Sequence, residues 1–524
     1  MENSSFSSMR ITYVSIIVLC VFLSFFNLFY YPVVSDNFDF WHVGKAISVG
    51  MSGHIEPDYQ NAGYYVFGVM IAELASLPYE ALPTLPLQAV AVIIVSIALL
   101  RGVVGRRSYS ALALILAMLV FVSKYGNKSY FMYYCHGLGF VLAITLCLTL
   151  LLYLKSLALE KRQALSILII LIVFSLNYIS YKLVFFSVVL VVGVLVVDWL
   201  YNFRWRGESR FRPGLTKLAL FSIVFTFAFN QILYQGFIPR LQEASESPFS
   251  GLDKLILSFY NPNATPFDAY YFTYPAGVRN ALTVWLALLL LSVLVTTLYL
   301  AYKFYRGEEL SNGEKVTFGF ILAGISVFGI YNLLGLSVFE YLVYSGLIGY
   351  LLLYSIARGS TMHRHLVVAS LLVLLALNGY ITMMSYEDQY RGIRDYNSFG
   401  YVTVPADWYV EKAPYDDPSV EGSLYTDVFT GGLIAAGMKK TELVDRYYPR
   451  TFSEDQMALL LLHDDEGLKN PDDVFIINYR LTYFSAESWV TFNSWSNYRS
   501  TLDENPLLNK IYSSGDIGCV SRYA

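Results

Sequence analysis

Residues Val34–Tyr65, VSDNFDFWHVGKAISVGMSGHIEPDYQNAGYY, form a polar stretch between an apolar run long enough to cross a membrane and a shorter apolar segment. A charge beside a bilayer is either solvated at the surface or held in a cleft for a chemical purpose, because the hydrocarbon interior excludes unpaired charge. The functional site is therefore expected in this stretch. Its four carboxylates and two imidazoles are Asp36, Asp39, His42, His54, Glu56 and Asp58.

The composition identifies a polytopic membrane protein. Of 524 residues, 56% are hydrophobic and 15% are charged, and the mean hydropathy is +0.49. Soluble domains carry about 25% charged residues, so a soluble enzyme is excluded. Basic side chains neither cluster nor alternate with aromatic ones as a phosphate-tracking groove would require. Nucleic acid is therefore not an expected partner.

Apolar runs long enough to cross a hydrocarbon core of about 30 Å define the membrane part of the chain. The segment Ala62–Leu77 is apolar but contains Glu73. It would span only about 24 Å at 1.5 Å per residue, so we predict a juxtamembrane or re-entrant helix there. The sequence thus predicts about eleven transmembrane helices within residues 1–384. They lie near residues 11–31, 84–100, 109–123, 131–154, 164–178, 183–202, 217–236, 280–302, 316–338, 341–357 and 366–384.

Basic residues are distributed unevenly between the loops. With eleven crossings, 17 of the 24 Lys and Arg residues of 1–384 fall on one side. The positive-inside rule makes that side cytoplasmic, together with the N-terminus. The first loop, residues 32–83, is then extracytoplasmic. We expect a multi-pass protein of the cell membrane.

The C-terminal segment, residues 385–524, has a different character, with 12 Lys and Arg against 22 Asp and Glu. Ser423–Phe429 and Val474–Tyr479 have strand composition, and Phe452–His463 is typical of a helix. Lys510–Ser521 is predicted to be a closing hairpin around Ser-Ser-Gly-Asp. We predict a small extracytoplasmic soluble α/β domain that follows the membrane part.

The order of features in the first loop resembles that of the GT-C glycosyltransferases. The first predicted crossing is followed by an Asp-containing motif, here S-D-N-F-D-F-W-H. A predicted helix then ends near Gly50 and Gly53-His54-Ile55, and G-Y-Y opens an apolar helix. The short helix Ala62–Leu77, inferred above from length and charge, is a second point of resemblance.

This resemblance includes oligosaccharyltransferases, mannosyltransferases and aminoarabinose transferases. It implies a mainly α, GT-C-like membrane fold and an inverting glycosyltransferase with a lipid-phosphate sugar donor. The sugar would pass from a polyprenyl-phosphate or pyrophosphate carrier to a glycan, lipid or protein acceptor. The reaction would take place on the extracytoplasmic face.

Asp36 and Asp39 are the candidate catalytic residues. Inverting transfer to a hydroxyl needs one base to take the acceptor proton as the oxygen attacks the anomeric carbon. The GT-C motif places its acid just after the first helix, which implies Asp36. Many relatives carry Asp four residues before a His, and Phe38 has that position here. The choice between the two acids stays open, as does a role for both as solvated loop acids.

The leaving phosphate needs cationic or hydrogen-bonding stabilisation rather than an acid. Lys182 and Arg279 are expected nearest to bilayer depth, and Arg240 is a further candidate, although snorkelling to lipid headgroups also explains the first two. The sequence identifies no definite cofactor, and a divalent metal stays open. Asp36, His42 and Glu56 could nevertheless hold Mg²⁺ or Mn²⁺, since oxygen and imidazole ligands bind such ions, but their spacing matches no known ligand motif.

Aromatic and polar side chains at the predicted outer edge are the candidate substrate contacts. Aromatic rings stack on sugar faces, but an interfacial aromatic belt predicts tyrosines in the same places. The candidates are His42, His54, Tyr64, Tyr65, Tyr130, Tyr134, His136 and Glu340.

Two other functions fit the same composition. A transporter or flippase for lipid-linked glycans would place ionisable residues midway along several helices, and the predicted helices are nearly free of them. A non-catalytic GT-C-like scaffold, whose C-terminal domain binds a partner, would keep the fold without needing the base.

Overall fold

A computed structural model of the protein describes the chain in separate ranges, most of them in the membrane part. Within these ranges the structure is mainly helical, with short strands near the C-terminus. The described residues are 45–47, 49–50, 53–55, 61–77, 79, 82, 85, 91, 94–95, 98–99, 135–179, 183–207, 211–233, 276–333, 340–356, 362–363, 365–377, 380, 424–426, 450–451, 474–478, 508–513 and 517–522.

Nine helices organise the described membrane part. In five of them the described residues include a segment long and apolar enough to cross a membrane: Gly137–Lys155, Leu159–Ile179, Val184–Arg204, Thr283–Arg306 and Asn312–Ile330. These five, with α5, α8 and α9, overlap eight of the eleven predicted crossings. The other three fall wholly or largely outside the described residues, so the count of eleven stays a prediction. The helices are α1 Ala62–Ala75, α2 Cys135–Lys155, α3 Leu159–Ile179, α4 Val184–Arg206, α5 Pro213–Leu233, α6 Ala276–Arg306, α7 Asn312–Leu333, α8 Glu340–Ile356 and α9 His365–Leu377.

Helix α1 is short, as the sequence predicts for this segment. It has 14 residues and ends where Ser76 takes a left-handed conformation, with φ 51° and ψ 42°. At 1.5 Å per residue it is about 21 Å long, which is too short to cross a core of about 30 Å. The apolar side chains of Phe67, Met70 and Leu74 are exposed. They follow helical spacing and present an apolar stripe that suits contact with lipid.

Local sequence signals fix the turns at one end of the bundle. Helices α4 and α6 are each followed by a left-handed glycine, Gly207 and Gly307, with φ of 64° and 71°. Glycine stops a helix in this way because it lacks the Cβ that disfavours positive φ. Helix α7 opens with a capping box: the Ser311 N–H donates to Glu314 Oε2 at 2.8 Å, and the Glu314 N–H donates to Ser311 Oγ at 3.2 Å.

Small residues allow the helices to pack closely. A Cβ added to Gly193 of α4 would lie 3.3 Å from the carbonyl oxygen of Gly319 in α7, so the two backbones nearly touch. Between α6 and α8, Ser292 Oγ donates to the carbonyl of Gly346 at 2.7 Å. Close backbone approach and hydroxyl bonds of this kind hold membrane helices together in the absence of a hydrophobic driving force between them.

These contacts also give the direction of each helix. Gly193 and Asp198 of α4 meet Gly319 and Lys315 of α7, so these two helices are antiparallel. Short turns join α2 to α3 and α6 to α7, and the Asn312 side chain reaches the Leu154 carbonyl at 3.4 Å. The ends of α2, α4 and α6 and the starts of α3, α5 and α7 therefore share one face, here called the basic end. Its described cations are Lys155, Lys161, Arg162, Arg204, Arg212, Lys217, Lys303, Arg306 and Lys315.

The described strands of the C-terminal segment form one five-stranded sheet in the order β2-β1-β3-β5-β4. Strand β1 pairs in parallel with β2 and β3, and β5 is antiparallel to β3 and β4. Strands β1 and β3 lie in the two segments predicted as strands, and β4 and β5 form the predicted closing hairpin. The predicted helix Phe452–His463 and the boundary at residue 385 lie outside the described residues. The strands are Leu424–Thr426, Arg450–Thr451, Val474–Asn478, Leu508–Ser513 and Ile517–Arg522.

Candidate functional site

Predicted site residues lie at the end of the bundle opposite the basic end. His136 is the second residue of α2, Arg279 is in the first turn of α6, and Glu340 is the first residue of α8. Helix α8 runs in the same direction as α6, because Ser292 of α6 meets Gly346 and a Cβ added to Gly349 would lie 3.3 Å from the Thr296 hydroxyl. The helix directions therefore bring these three backbone positions to one face, while their side chains lie outside the described part.

A packed layer lies at this face, against the start of α2 and the end of α3. It is built from the first loop, and we call it the first-loop layer. Because its parts bury apolar surface against each other, the loop has a fixed platform rather than a set of independent segments. Its buried members are Ala46, Val49, Ala62, Tyr64, Tyr65, Ala72 and Leu82, and they pack against Ile55, Tyr79, Leu138, Tyr178 and Ile179.

The start of α1 rests directly on the end of α3. Gly63 is buried, and a Cβ at this position would lie 2.9 Å from both Cγ and the carbonyl oxygen of Tyr178. Real side chains do not approach so closely, so only glycine fits. The next two residues, Tyr64 and Tyr65, are each 3% exposed, and their rings meet edge to face at 5.4 Å. These tyrosines, predicted as substrate contacts, pack inside the first-loop layer in this structure.

Tyr79 contacts both the C-terminal part of α1, through Glu73, and the segment around Gly50, which precedes α1 in the chain. Its hydroxyl donates a 2.7 Å hydrogen bond to Glu73 Oε1. The same ring lies against Gly50, where an added Cβ would be 2.8 Å from Tyr79 Cζ. Burial, the hydrogen bond to Glu73 and the charge of that carboxylate raise the pKa of Tyr79 to about 12. The phenol is therefore a permanent donor at neutral pH, and Glu73 has a specific partner.

The other predicted site residues are placed as follows. His54 is described and exposed, one residue after Gly53. Within the described part of the chain, no group of three His, Cys, Asp or Glu side chains could hold a metal ion. Outside the described residues lie the two candidate bases, the proposed metal ligands, two of the three phosphate cations and three of the eight substrate contacts, and their roles stay predictions. They are Asp36, Asp39, His42, Glu56, Tyr130, Tyr134, Lys182 and Arg240.

Three residues that form contacts in the first-loop layer are not among the predicted site residues: Gly63, Tyr79 and Tyr178. The only local signal for Tyr79 is its place six residues after Glu73, since an exposed carboxylate does not require a partner. Nothing in the local pattern links Gly63 to Tyr178, since they are far apart in the chain.

Sequence comparison finds no relative: no protein-family model and no curated protein matches the chain. Several solved structures are similar to it, among them two that each cover nearly its whole length. ArnT from Cupriavidus metallidurans bound to undecaprenyl phosphate is 12% identical, with 98% of each chain covered and a TM-score of 0.51. The Archaeoglobus fulgidus oligosaccharyltransferase in complex with Zn and sulfate is 13% identical, with 98% of this chain and 73% of that chain covered and a TM-score of 0.53. At such identities the similarity concerns the fold.

Proposed function

Because the chain has the membrane fold of the GT-C glycosyltransferases, we propose that it transfers a sugar from a polyprenyl-phosphate or pyrophosphate carrier to a hydroxyl acceptor. The observation that carries the proposal is the full-length similarity to ArnT, whose structure contains undecaprenyl phosphate. A lipid carrier suits a multi-pass protein whose candidate site lies at a bundle end. The acceptor is a glycan, a lipid or a protein.

The distribution of charge supports a site on the extracytoplasmic face. The basic end carries nine of the cations whose side chains are described, and the positive-inside rule makes such an end cytoplasmic. His136, Arg279 and Glu340 belong to the opposite end. The N-terminus would then be cytoplasmic, and the C-terminal sheet extracytoplasmic.

The proposed reaction needs one base and one cation. Asp36 or Asp39 accepts the proton of the acceptor hydroxyl, whose oxygen attacks the anomeric carbon from the face opposite the phosphate. The bond from that carbon to the phosphate oxygen breaks, and the carrier phosphate leaves with the electron pair. Lys182, Arg279 or Arg240 offsets the new negative charge, as fixed cations do at developing oxyanions. The product has an inverted anomeric configuration.

A transporter is less well supported by the same helices. It would need ionisable groups midway along the membrane path. Among the described crossings, the most deeply buried charge is Asp198, which is 1% exposed. That carboxylate is paired with Lys315 and Arg212 at the basic end, where it holds helices together.

The test is a transfer assay with purified protein in proteoliposomes. The liposomes contain native-membrane lipid extract as the source of carrier-linked sugar, together with candidate acceptors. We expect acceptor-dependent release of the carrier phosphate, with one sugar transferred for each carrier released. Movement of intact lipid-linked sugar between leaflets without release of the carrier would indicate the transporter instead.

A further inference from the structure

We propose that Gly63 and Tyr178 form a positioning contact, which fixes the position of the first loop relative to the helical bundle. The inference rests on the proposed function and adds two residues to it. Neither residue is expected to touch substrate. Their effect on catalysis would come through the segments that flank them in the chain.

The contact is unusually close. Gly63 is the second residue of α1 and is buried, and Tyr178 is the second-to-last residue of α3. A methyl group at position 63 would overlap the Tyr178 ring and lie 2.9 Å from its carbonyl oxygen. The clash thus involves both the side chain and the backbone of α3, which cannot easily move.

Neighbouring aromatic rings restrict the movement of the Tyr178 ring away from such a clash. The ring is in contact with Phe174, with ring centroids 6.1 Å apart, and with Phe229 of α5, at 6.0 Å. Phe225 supports both of these rings, at 5.6 Å from Phe174 and 5.3 Å from Phe229. A bulkier residue at 63 would displace α1 from the end of α3, because the clash also involves the Tyr178 carbonyl oxygen, which is part of the helix backbone.

A displacement of α1 at Gly63 would be transmitted to the rest of the first-loop layer, because the neighbours of Gly63 are buried in that layer. Asn61 and Ala62 are each 6% exposed, and Tyr64 and Tyr65 are each 3% exposed, so the start of α1 moves as a unit with the first-loop layer. That layer also includes the turn that precedes His54. The contact therefore couples the first loop, which carries the candidate bases, to the end of α3.

The sequence positions explain why this coupling would affect catalysis. Asp36 and Asp39 precede Gly63 in the first loop, and Lys182 follows Tyr178 by four positions. One side of the contact thus leads to the predicted base, and the other leads to a predicted phosphate cation. A misplacement of about 1 Å between reacting groups can cost roughly 100-fold in rate.

The test substitutes Gly63→Ala and measures kcat and KM for the carrier-linked donor. We expect kcat to fall roughly 10- to 100-fold, with KM changed by no more than about threefold, because transition-state alignment rather than ground-state binding is lost. Gly329→Ala is the matched control, since no heavy atom lies within 4 Å of a Cβ at that helical position. It should keep wild-type kcat.

A rescue variant separates positioning from general destabilisation. Combining Gly63→Ala with Tyr178→Ala removes the ring that the new methyl meets, and kcat should recover partly, because the clash with the carbonyl oxygen remains. Tyr178→Ala alone makes no clash and should fold. It should also lower kcat without raising KM, because α1 loses the surface on which it rests.

Hydrogen exchange over residues 61–75 in nanodiscs provides a readout independent of activity. Gly63→Ala should speed exchange there, and Gly329→Ala should not. Wild-type kcat and wild-type exchange in Gly63→Ala, with an active wild-type protein, would overturn the positioning role and leave the proposed function intact. An inactive wild-type protein that still shows the exchange difference would reject the function and, with it, the catalytic role of the contact.

Discussion

The Nζ atom of Lys315 donates a 2.8 Å hydrogen bond to Oδ1 of Asp198, joining α7 to α4 at the basic end. The Asp198 side chain is 1% exposed, and its other oxygen, Oδ2, is 3.2 Å from Arg212 Nε. Asn202 donates to the same oxygen at 3.3 Å. One buried carboxylate is thus held by two cations and an amide, and it connects α4 and α7 to the residue that precedes α5.

Because Asp198 and Lys315 are partners in this cluster, we expect their substitutions to have coupled effects on the free energy of unfolding. Lys315→Met should lower the free energy of unfolding by about 1.5–3 kcal/mol, because the buried carboxylate loses its shorter ion pair but keeps Arg212 and Asn202. Adding Asp198→Leu should restore most of the loss, since Arg212 is 29% exposed and can turn toward water. Thermal unfolding of the single and double variants measures the coupling. Equal melting of wild type and Lys315→Met would show that the cluster does not stabilise the fold.

The Tyr79 and Glu73 pair predicts a pH dependence in the alkaline range. The pKa of the Tyr79 phenol is raised from 10.0 to about 12, so the neutral donor is favoured in the folded protein. The stability that this contributes is fully present below pH 10 and is lost as the pH rises through about 12. Tyr79→Phe should therefore be less stable than wild type below pH 10, and the difference should vanish toward pH 12.

A direct check follows the Tyr79 ring by NMR of ¹³Cζ-labelled tyrosine, with Tyr79→Phe to assign the signal. In Glu73→Gln the phenol loses both the charge of the carboxylate and its strongest acceptor. Its pKa should fall toward 10 but stay above it, because burial is the largest cause of the shift. An unchanged titration in Glu73→Gln would mean that the hydrogen bond does not persist in solution.

The proposed orientation of the bundle predicts which introduced cysteines react in intact cells. Leu157, in the turn between α2 and α3 at the basic end, is 91% exposed, and His54 in the first loop is also exposed. After the four native cysteines are replaced, His54→Cys should react with a membrane-impermeant thiol reagent. Leu157→Cys should react only after permeabilisation. The reverse pattern would place the first loop in the cytoplasm.

The local features of this fold could be predicted from the sequence, but the long-range contacts could not. Length and the single Glu73 were enough to predict that Ala62–Leu77 is too short to cross, because apolar length and charge are properties of one segment. The partner of Asp198 could not be predicted in the same way. An acid in an apolar run requires a cation, but the choice of Lys315, 117 residues away, depends on how α4 packs against α7.

In the candidate site, too, local features could be predicted from the sequence and long-range packing could not. The order of motifs in the first loop indicated the fold, and the loop charges predict the end of the bundle at which the site is proposed. The sequence could not predict that Tyr64 and Tyr65 pack inside the first-loop layer, because an aromatic pair near an interface looks the same whether it faces a substrate or another helix.

The central claim is that a carboxylate of the first loop acts as the base in sugar transfer. The decisive measurement is glycan or lipid-linked product in cells that lack the native gene and carry each variant at matched expression. The double variant Asp36→Asn, Asp39→Asn keeps the shape of both side chains but removes both proton acceptors. Product should therefore fall by about 10²- to 10⁴-fold. The single variants then identify the base, since only its replacement should be as severe as the double variant. Wild-type product from the double variant would contradict the claim.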